Sequence, residues 1–152
     1  MKTLIVYYSK TGNTKKVAEE LNKQIKADVE EIIDTKKRSG ILGWILGGRD
    51  AVRNKLTKIN PIKYNPEDYD LVLIGSPVWG FKVVPAIRTY LTENKFKQVA
   101  FFCTMDGSGD EGTFKSMEEI SKKPIATLAV KSKELEQNIL ADKIKEFIEK
   151  WK

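Results

Sequence analysis

The residues whose types are best suited to bind a ligand form a short loop near the start of the chain. The loop is Ser-Lys-Thr-Gly-Asn-Thr, over positions 9–14. Hydroxyl groups, an amide and a glycine stand together directly before a stretch whose apolar spacing predicts a helix. The first N–H groups of a helix have no acceptor within it, and its dipole is positive at that end. We therefore predict a cradle for a phosphate monoester. Its members are Ser9, Lys10, Thr11, Gly12, Asn13 and Thr14.

Two other kinds of phosphate loop do not fit these residues. A Walker A loop needs Gly-x-x-x-x-Gly-Lys-Ser/Thr, and its first glycine is missing. A cysteine-based phosphatase loop would need a cysteine here. The plainer alternative is an ordinary helix N-cap, with Thr11 or Asn13 as the capping residue. A cap needs one such residue, whereas this loop has four, so we favour the phosphate interpretation.

The composition limits the chemistry that side chains can perform. The 152 residues include one cysteine, Cys103, and no histidine. Zinc and iron–sulfur sites usually use several such ligands, and Ser-His-Asp triads or Cys-His pairs need histidine. Cys103 lies in an apolar run that predicts a small buried side chain. We therefore predict no catalytic side chain and no metal site, so that redox chemistry would depend on an added cofactor.

The elements that position the first loop follow from the hydrophobic pattern. Short apolar runs predict strands, and apolar residues three or four apart predict helices. Three strands are apolar nearly throughout, as burial on both faces of a sheet requires. We predict one α/β domain over residues 1–152, with a doubly wound, five-stranded parallel sheet and helices on both faces. The predicted strands are 2–8, 28–33, 70–75, 98–104 and 125–130.

In such a sheet, ligands bind outside the carboxyl ends of the strands. The loops predicted at those ends are 9–14, 34–48, 76–81 and 105–112. Four glycines predict that 34–48 is irregular, with a helix following over about residues 49–56. Trp79 offers a large aromatic face in a loop that also contains proline and glycine. The alternative for Trp79 is an ordinary core tryptophan.

Three of these loops resemble those of the flavodoxins, and the resemblance extends over the whole chain, most of all to short prokaryotic members. Positions 9–14 fit the family's phosphate loop, Ser/Thr-x-Thr-Gly-x-Thr, while 76–80 and 104–109 look like its two flavin-flanking loops. The resemblance implies strand order 2-1-3-4-5 and flavin mononucleotide (FMN) as the cofactor. The further flavin-binding residues that it implies are Ser76, Pro77, Val78, Trp79, Gly80, Phe81, Thr104, Met105, Asp106, Gly107 and Gly109.

The family resemblance also implies a function. It indicates a one-electron carrier whose FMN passes through a semiquinone, with no side chain acting as acid or base. A peptide within Trp79–Phe81 would accept a hydrogen bond from the reduced flavin. The alternative is an FMN-dependent NAD(P)H:quinone-type oxidoreductase, which would need room over the flavin, so the question of an enzyme stays open. A basic nucleic-acid-binding or scaffold module is a third hypothesis, but only Trp44 interleaves with the basic residues, so we expect no nucleic-acid partner.

The third loop departs from the family pattern and contains a misleading motif. The tyrosine that often stacks on the flavin is absent, and Met105 is the predicted apolar cover.

Positions 107–112, Gly-Ser-Gly-Asp-Glu-Gly, match the dinucleotide motif Gly-x-Gly-x-x-Gly. That motif belongs in the first βαβ unit, whereas here it lies in the fourth. Asp110 and Glu111 would also repel a pyrophosphate, so we do not predict a dinucleotide site.

The positive charge of the chain is concentrated in one segment. The net charge is +6, and the Lys36–Lys63 segment has eight basic residues against the single acid Asp50. This segment could attract an acidic redox partner, rest with Ile41, Trp44 and Ile45 on an anionic membrane surface, cover the flavin phosphate, or simply be solvated. The partner could equally dock near the flavin edge. No targeting or transmembrane segment is recognisable, which predicts a cytoplasmic protein; the oligomeric state is left open.

Overall fold

A parallel sheet forms the centre of the computed structural model, which describes residues 1–36 and 40–152. Its strand order is β2-β1-β3-β5-β6, with the short β4 antiparallel to β3. Without β4, this is the predicted order, and the predicted α/β class is confirmed. The strands are β1 (Thr3–Tyr7), β2 (Asp28–Glu31), β3 (Leu71–Trp79), β4 (Lys82–Val83), β5 (Val99–Met105) and β6 (Thr127–Lys131).

Helices cover both faces of the sheet. Because successive strand residues point to opposite faces, Leu4 and Val6 pack in one core, while Ile5 and Tyr7 pack in the other. The helices are α1 (Asn13–Ile25), α2 (Gly40–Val52), α3 (Pro85–Glu93), α4 (Asp110–Ile120) and α5 (Gln137–Glu149). Buried residues of α3 and α4 belong to the first core, and those of α1 and α5 to the second. No helix in the described ranges is long and apolar enough to cross a membrane.

Helix α2 corrects one prediction from the sequence. The glycines of 34–48 predicted a loop with a helix starting near residue 49, but the helix runs from Gly40 to Val52. A glycine inside a helix costs about 0.5–1 kcal/mol relative to alanine. At Gly47 the missing side chain allows a close approach, since a Cβ there would lie 2.8 Å from Cζ3 of Trp79. Glycine therefore serves packing at this position and does not interrupt the helix.

Strand β3 corrects a second prediction. The predicted connector 76–81 is strand up to Trp79, because Ser76 and Pro77 pair with β5, while Val78 and Trp79 pair with β4. The actual turn is Gly80–Phe81, where φ is +56° and +60°. Positive φ at both central residues characterises the type I′ turns that fit the twist of a hairpin. The third predicted loop is also shorter than 105–112, since α4 begins at Asp110.

Candidate functional site

A cleft of about 180 Å³ lies where the carboxyl ends of β1, β3 and β5 meet. The three loops predicted to bind one ligand contribute walls to this same cleft, as expected for strands whose carboxyl ends share one edge of the sheet. The residues that line it are Lys10, Thr11, Asn13, Thr14, Pro77, Val78, Trp79, Thr104, Met105, Asp106 and Ser132.

The first loop folds over the start of helix α1. Gly12 caps the helix with φ at +96°, a conformation that favours glycine. The hydroxyl oxygen of Ser9 accepts hydrogen bonds from the N–H groups of Gly12 (3.1 Å) and Lys15 (3.3 Å). As the first two residues of α1, Asn13 and Thr14 have N–H groups with no acceptor inside the helix. Ser9 and Gly12 thus shape the loop, and Asn13 and Thr14 bring helix donors to the cleft.

A hydrogen bond between two threonines ties the first loop to strand β5. Oγ1 of Thr14 and Oγ1 of Thr104 lie 2.7 Å apart, and both side chains are buried. One hydroxyl donates to the other, so the accepting hydroxyl keeps its own proton for a third partner. This pair fixes the distance between two walls of the cleft and leaves one O–H available to a bound group.

Trp79 is both a wall of the cleft and part of the packing. Its ring makes an edge-on contact with Tyr8 at 5.6 Å between centroids, and Nζ of Lys10 lies 5.7 Å from its ring centroid. The side chain is half-buried and packs against the α3–α4 core. Trp79 thus packs against the core, as one of its two predicted alternatives requires, and also lines the cleft, while its contact with a cofactor stays a prediction.

We expect Gly47→Ala to displace the Trp79 ring, because the new Cβ would lie 2.8 Å from Cζ3. The ring stands at the end of a flexible side chain, so we expect a stability change of about 1 kcal/mol or less and an altered near-ultraviolet circular dichroism spectrum. Gly48→Ala is the matched control, since it has the same gain in helix propensity and nothing within 4 Å of its Cβ. Identical circular dichroism spectra for Gly47→Ala and Gly48→Ala would contradict the contact between Gly47 and Trp79. A spectral difference between these two variants that persists when Trp79 is replaced by Phe would contradict it as well.

The third wall includes a residue that sequence reasoning missed. Ser132 follows β6 directly, and its hydroxyl donates to Oδ1 of Asp106 at 2.7 Å. Its position after the carboxyl end of a predicted strand was the available signal. Next to it, half-buried Met105 supplies an apolar surface. The Asp106 carboxylate is thereby held at the mouth of the cleft by a neutral donor.

Several predicted site residues lie beside the cleft without lining it. Ser76 is fully buried, its hydroxyl donating to the Pro77 carbonyl (2.7 Å) and accepting from the Val84 N–H (3.2 Å). Gly80 and Phe81 form the β3–β4 turn, and the Phe81 side chain is 64% exposed. Gly107 and Gly109, which also do not line the cleft, lie in the loop that leads into α4.

Cys103 is a structural residue of β5. It is fully buried, which confirms the prediction of a small core side chain. Burial, with a smaller contribution from Asp110, raises the pKa of the thiol to about 12. Because the thiolate is the nucleophilic form, burial makes Cys103 a poor nucleophile.

The described part of the basic segment is largely exposed. Asp50, whose side chain is 5% exposed, lies 3.7 Å from both Nζ of Lys36 and Nη2 of Arg49. Lys37 and Arg38 lie outside the described residues, as do the side chains of Ile41 and Trp44. The other basic residues, all exposed, are Arg53, Lys55, Lys58 and Lys63.

Comparison with known proteins gives consistent matches. A family model described as Flavodoxin matches residues 2–151. A flavoprotein from Lactobacillus acidophilus NCFM, crystallised in complex with FMN, is 28% identical with a TM-score of 0.72, covering 88% of this chain and 95% of that chain. The NMR structure of the apo-form of the flavoprotein from that organism is 31% identical with a TM-score of 0.64, covering 87% and 93%. Oxidised Flavodoxin 2 from Bacillus cereus is 19% identical, with a TM-score of 0.61 and coverage of 99% and 100%, and shows the fold alone. A search of the curated proteins finds no match.

Proposed function

The chain belongs to the flavodoxin family, and we propose that it holds FMN non-covalently in the cleft and carries electrons one at a time. The family and the FMN complex of the 28%-identical relative indicate FMN as the cofactor. One observation carries the assignment to the cleft: the first loop, Trp79 and the end of β5 line one cavity at the carboxyl edge of the sheet. When bound, FMN supplies the capacity to accept and return single electrons.

The first loop suits the phosphate end of FMN. The amide groups of Asn13 and Thr14 begin helix α1, whose dipole is positive there, and Thr11 adds an exposed hydroxyl. The Thr14–Thr104 pair holds a further O–H at the same edge. No carboxylate stands among positions 9–14, so nothing in the loop itself repels a dianion.

The opposite walls suit a flat ring system. Trp79 provides an aromatic wall that Tyr8 and α2 hold in place, and Met105 provides an apolar wall on β5. The Gly80–Phe81 turn next to Trp79 has two positive φ angles, and such a conformation is strained for phenylalanine. We propose that a peptide of Trp79–Phe81 hydrogen-bonds the flavin edge, and that the strain makes this turn a place where the backbone can change conformation.

A carrier is favoured over an NAD(P)H oxidoreductase by the packing of Trp79. A nicotinamide would need open space over the flavin, and the Trp79 ring, which contacts Tyr8 edge-on and lies against Gly47, occupies space at the wall of the cleft. For the partner, we propose an acidic redox protein that docks near the flavin edge or at the Lys36–Lys63 segment, since exposed cations speed the encounter with an acidic surface.

The test is an absorbance titration of the purified protein with FMN, followed by reduction in measured steps. We expect saturable binding at one FMN per chain, and a long-wavelength band that rises and then falls as each chain receives its first and second electron. Flavin binding without such a band, together with direct bleaching by NADPH, would replace the carrier with the oxidoreductase. Failure to bind FMN would overturn both functions.

A further inference from the structure

A second cavity, of about 230 Å³, lies between the β3–β4 hairpin and helices α3 and α4. It shares no lining residue with the cleft described above. Three of its residues carry positive charge, namely Lys82, Arg88 and Lys115, and one carries negative charge, the exposed Glu119. The cavity is therefore positively charged overall, although its charged residues lie outside the basic segment recognised in the sequence.

Arg88 is the central residue of this cavity. It is only 7% exposed, and its Nε atom is buried with no hydrogen-bond partner. Among the described residues no carboxylate forms a salt bridge with it. Burial lowers the pKa of the guanidinium, while the charge of Glu119 opposes this shift. A guanidinium nevertheless stays protonated, and a buried charge that no salt bridge compensates is destabilising.

A single neutral oxygen currently serves two cations of the cavity. Oδ1 of Asn54 accepts from Nη2 of Arg88 and from Nζ of Lys82, each at 3.1 Å. An amide oxygen has only a partial negative charge, so it compensates these two cations weakly compared with an anion. The side chain of Lys115 adds a third cation for which the structure shows no ion pair among the described residues.

We propose that this cavity binds an oxyanion, a phosphate or carboxylate group, through Arg88 with help from Lys82 and Lys115. The Nε–H and Nη2–H groups lie on one edge of a guanidinium and match two oxygens of such a group. The anion would satisfy the orphan Nε and displace or share the Asn54 oxygen. Glu119 opposes the anion and so weakens its binding. The anion would need no residue that lines the FMN cleft, because the two cavities share none.

The test uses the full chain and inorganic phosphate at constant ionic strength, with two-dimensional ¹H–¹⁵N NMR. We expect the Arg88 Nε–H signal to move saturably, together with the backbone amides of Lys115 and Ser116. Signals of residues 11–14 report the FMN cleft in the same spectra. Acetate replaces phosphate in a second arm: a shift with both anions indicates a general oxyanion site, and a shift with phosphate alone indicates a site for phosphate groups.

Lys115→Gln tests the charge without disturbing the core, because Lys115 is exposed. We expect phosphate affinity at Arg88 to fall roughly twofold to fivefold, as for a partly exposed ion pair. Lys123→Gln removes the same charge from an exposed position that does not line the cavity, and should leave the affinity unchanged. The proposal is overturned if chloride at equal ionic strength moves the Arg88 signal as phosphate does, if only residues 11–14 respond, or if the two variants bind equally.

Discussion

Thr11→Glu is expected to weaken FMN binding by at least about 100-fold, a loss of about 2.7 kcal/mol. Thr11 lines the cleft at the start of helix α1. A glutamate there would occupy the positive end of the helix dipole and repel the phosphate, which carries about −1.5 to −2 charges at pH 7. Two unit charges about 4 Å apart interact by about 4 kcal/mol near a protein surface. A flavin-fluorescence titration measures the affinity.

Thr11→Gln separates charge from size in this experiment. Glutamine is as large as glutamate but neutral, so we expect it to lose less than about tenfold in affinity. The difference between the two variants should shrink as salt is added, because exposed charges are screened. The Thr11→Glu protein should stay folded, since a carboxylate near a helix N-terminus is favourable. If Thr11→Glu binds FMN as tightly as the unchanged protein, the first loop does not hold the phosphate.

The first loop could be predicted because all of its determinants are local. The apolar run of β1, the polar break at positions 9–14 and the spacing of Val17, Leu21 and Ile25 are contiguous in sequence, and the structure has strand, loop and helix in that order. The sheet order followed in turn from the family resemblance. Because both faces of the central strands are buried, these strands are nearly continuous runs of apolar residues, which made them easy to recognise.

The errors arose where a residue type serves a distant partner. Gly47 has the same chemistry as a loop glycine, and nothing near it in sequence indicates that Trp79 packs against it. Likewise Pro77 suggested a turn, since proline is common in turns. Its pairing with Thr104 of β5 is a tertiary contact, which the residues near Pro77 in sequence do not indicate. Ser132 was overlooked for the same reason, since only the fold brings it to Asp106. Local propensity is a weak guide when tertiary contacts decide.

The Gly-x-Gly-x-x-Gly match at 107–112 shows the same effect with a functional motif. Gly109 has φ at +107°, and a Cβ there would lie 2.6 Å from Cγ1 of Val78. A Cβ on Gly112 would lie 2.4 Å from the carbonyl oxygen of Phe81. Two of the three glycines thus let α4 approach the β3–β4 hairpin. This packing gives Gly109 and Gly112 a structural role that requires no dinucleotide.

Gly112→Ala is therefore expected to destabilise the protein by about 1–3 kcal/mol, the usual cost of overpacking. The atom that the new methyl group meets is the backbone oxygen of Phe81, which cannot retreat without moving the hairpin. Alanine would otherwise gain up to about 1 kcal/mol in a helix, so any measured loss is a net effect of the collision. Because the same hairpin includes Trp79, which lines the cleft, FMN affinity should fall as well. Urea unfolding and a flavin titration measure the two effects.

Gly107→Ala is the control that this loop itself supplies. A Cβ at Gly107 meets nothing within 4 Å, so we expect stability within about 0.5 kcal/mol of the unchanged protein and an unchanged affinity for FMN. Comparing Gly112→Ala with Gly107→Ala separates two explanations of the motif. If packing explains it, only Gly112→Ala has an effect, whereas a dinucleotide loop would also be sensitive to substitution of its first glycine, Gly107. A Gly112→Ala protein as stable as Gly107→Ala would contradict the close approach of α4 to the hairpin. If Gly112→Ala loses stability but binds FMN with unchanged affinity, the close approach of α4 to the hairpin is supported. The hairpin would then move without disturbing the Trp79 wall of the cleft.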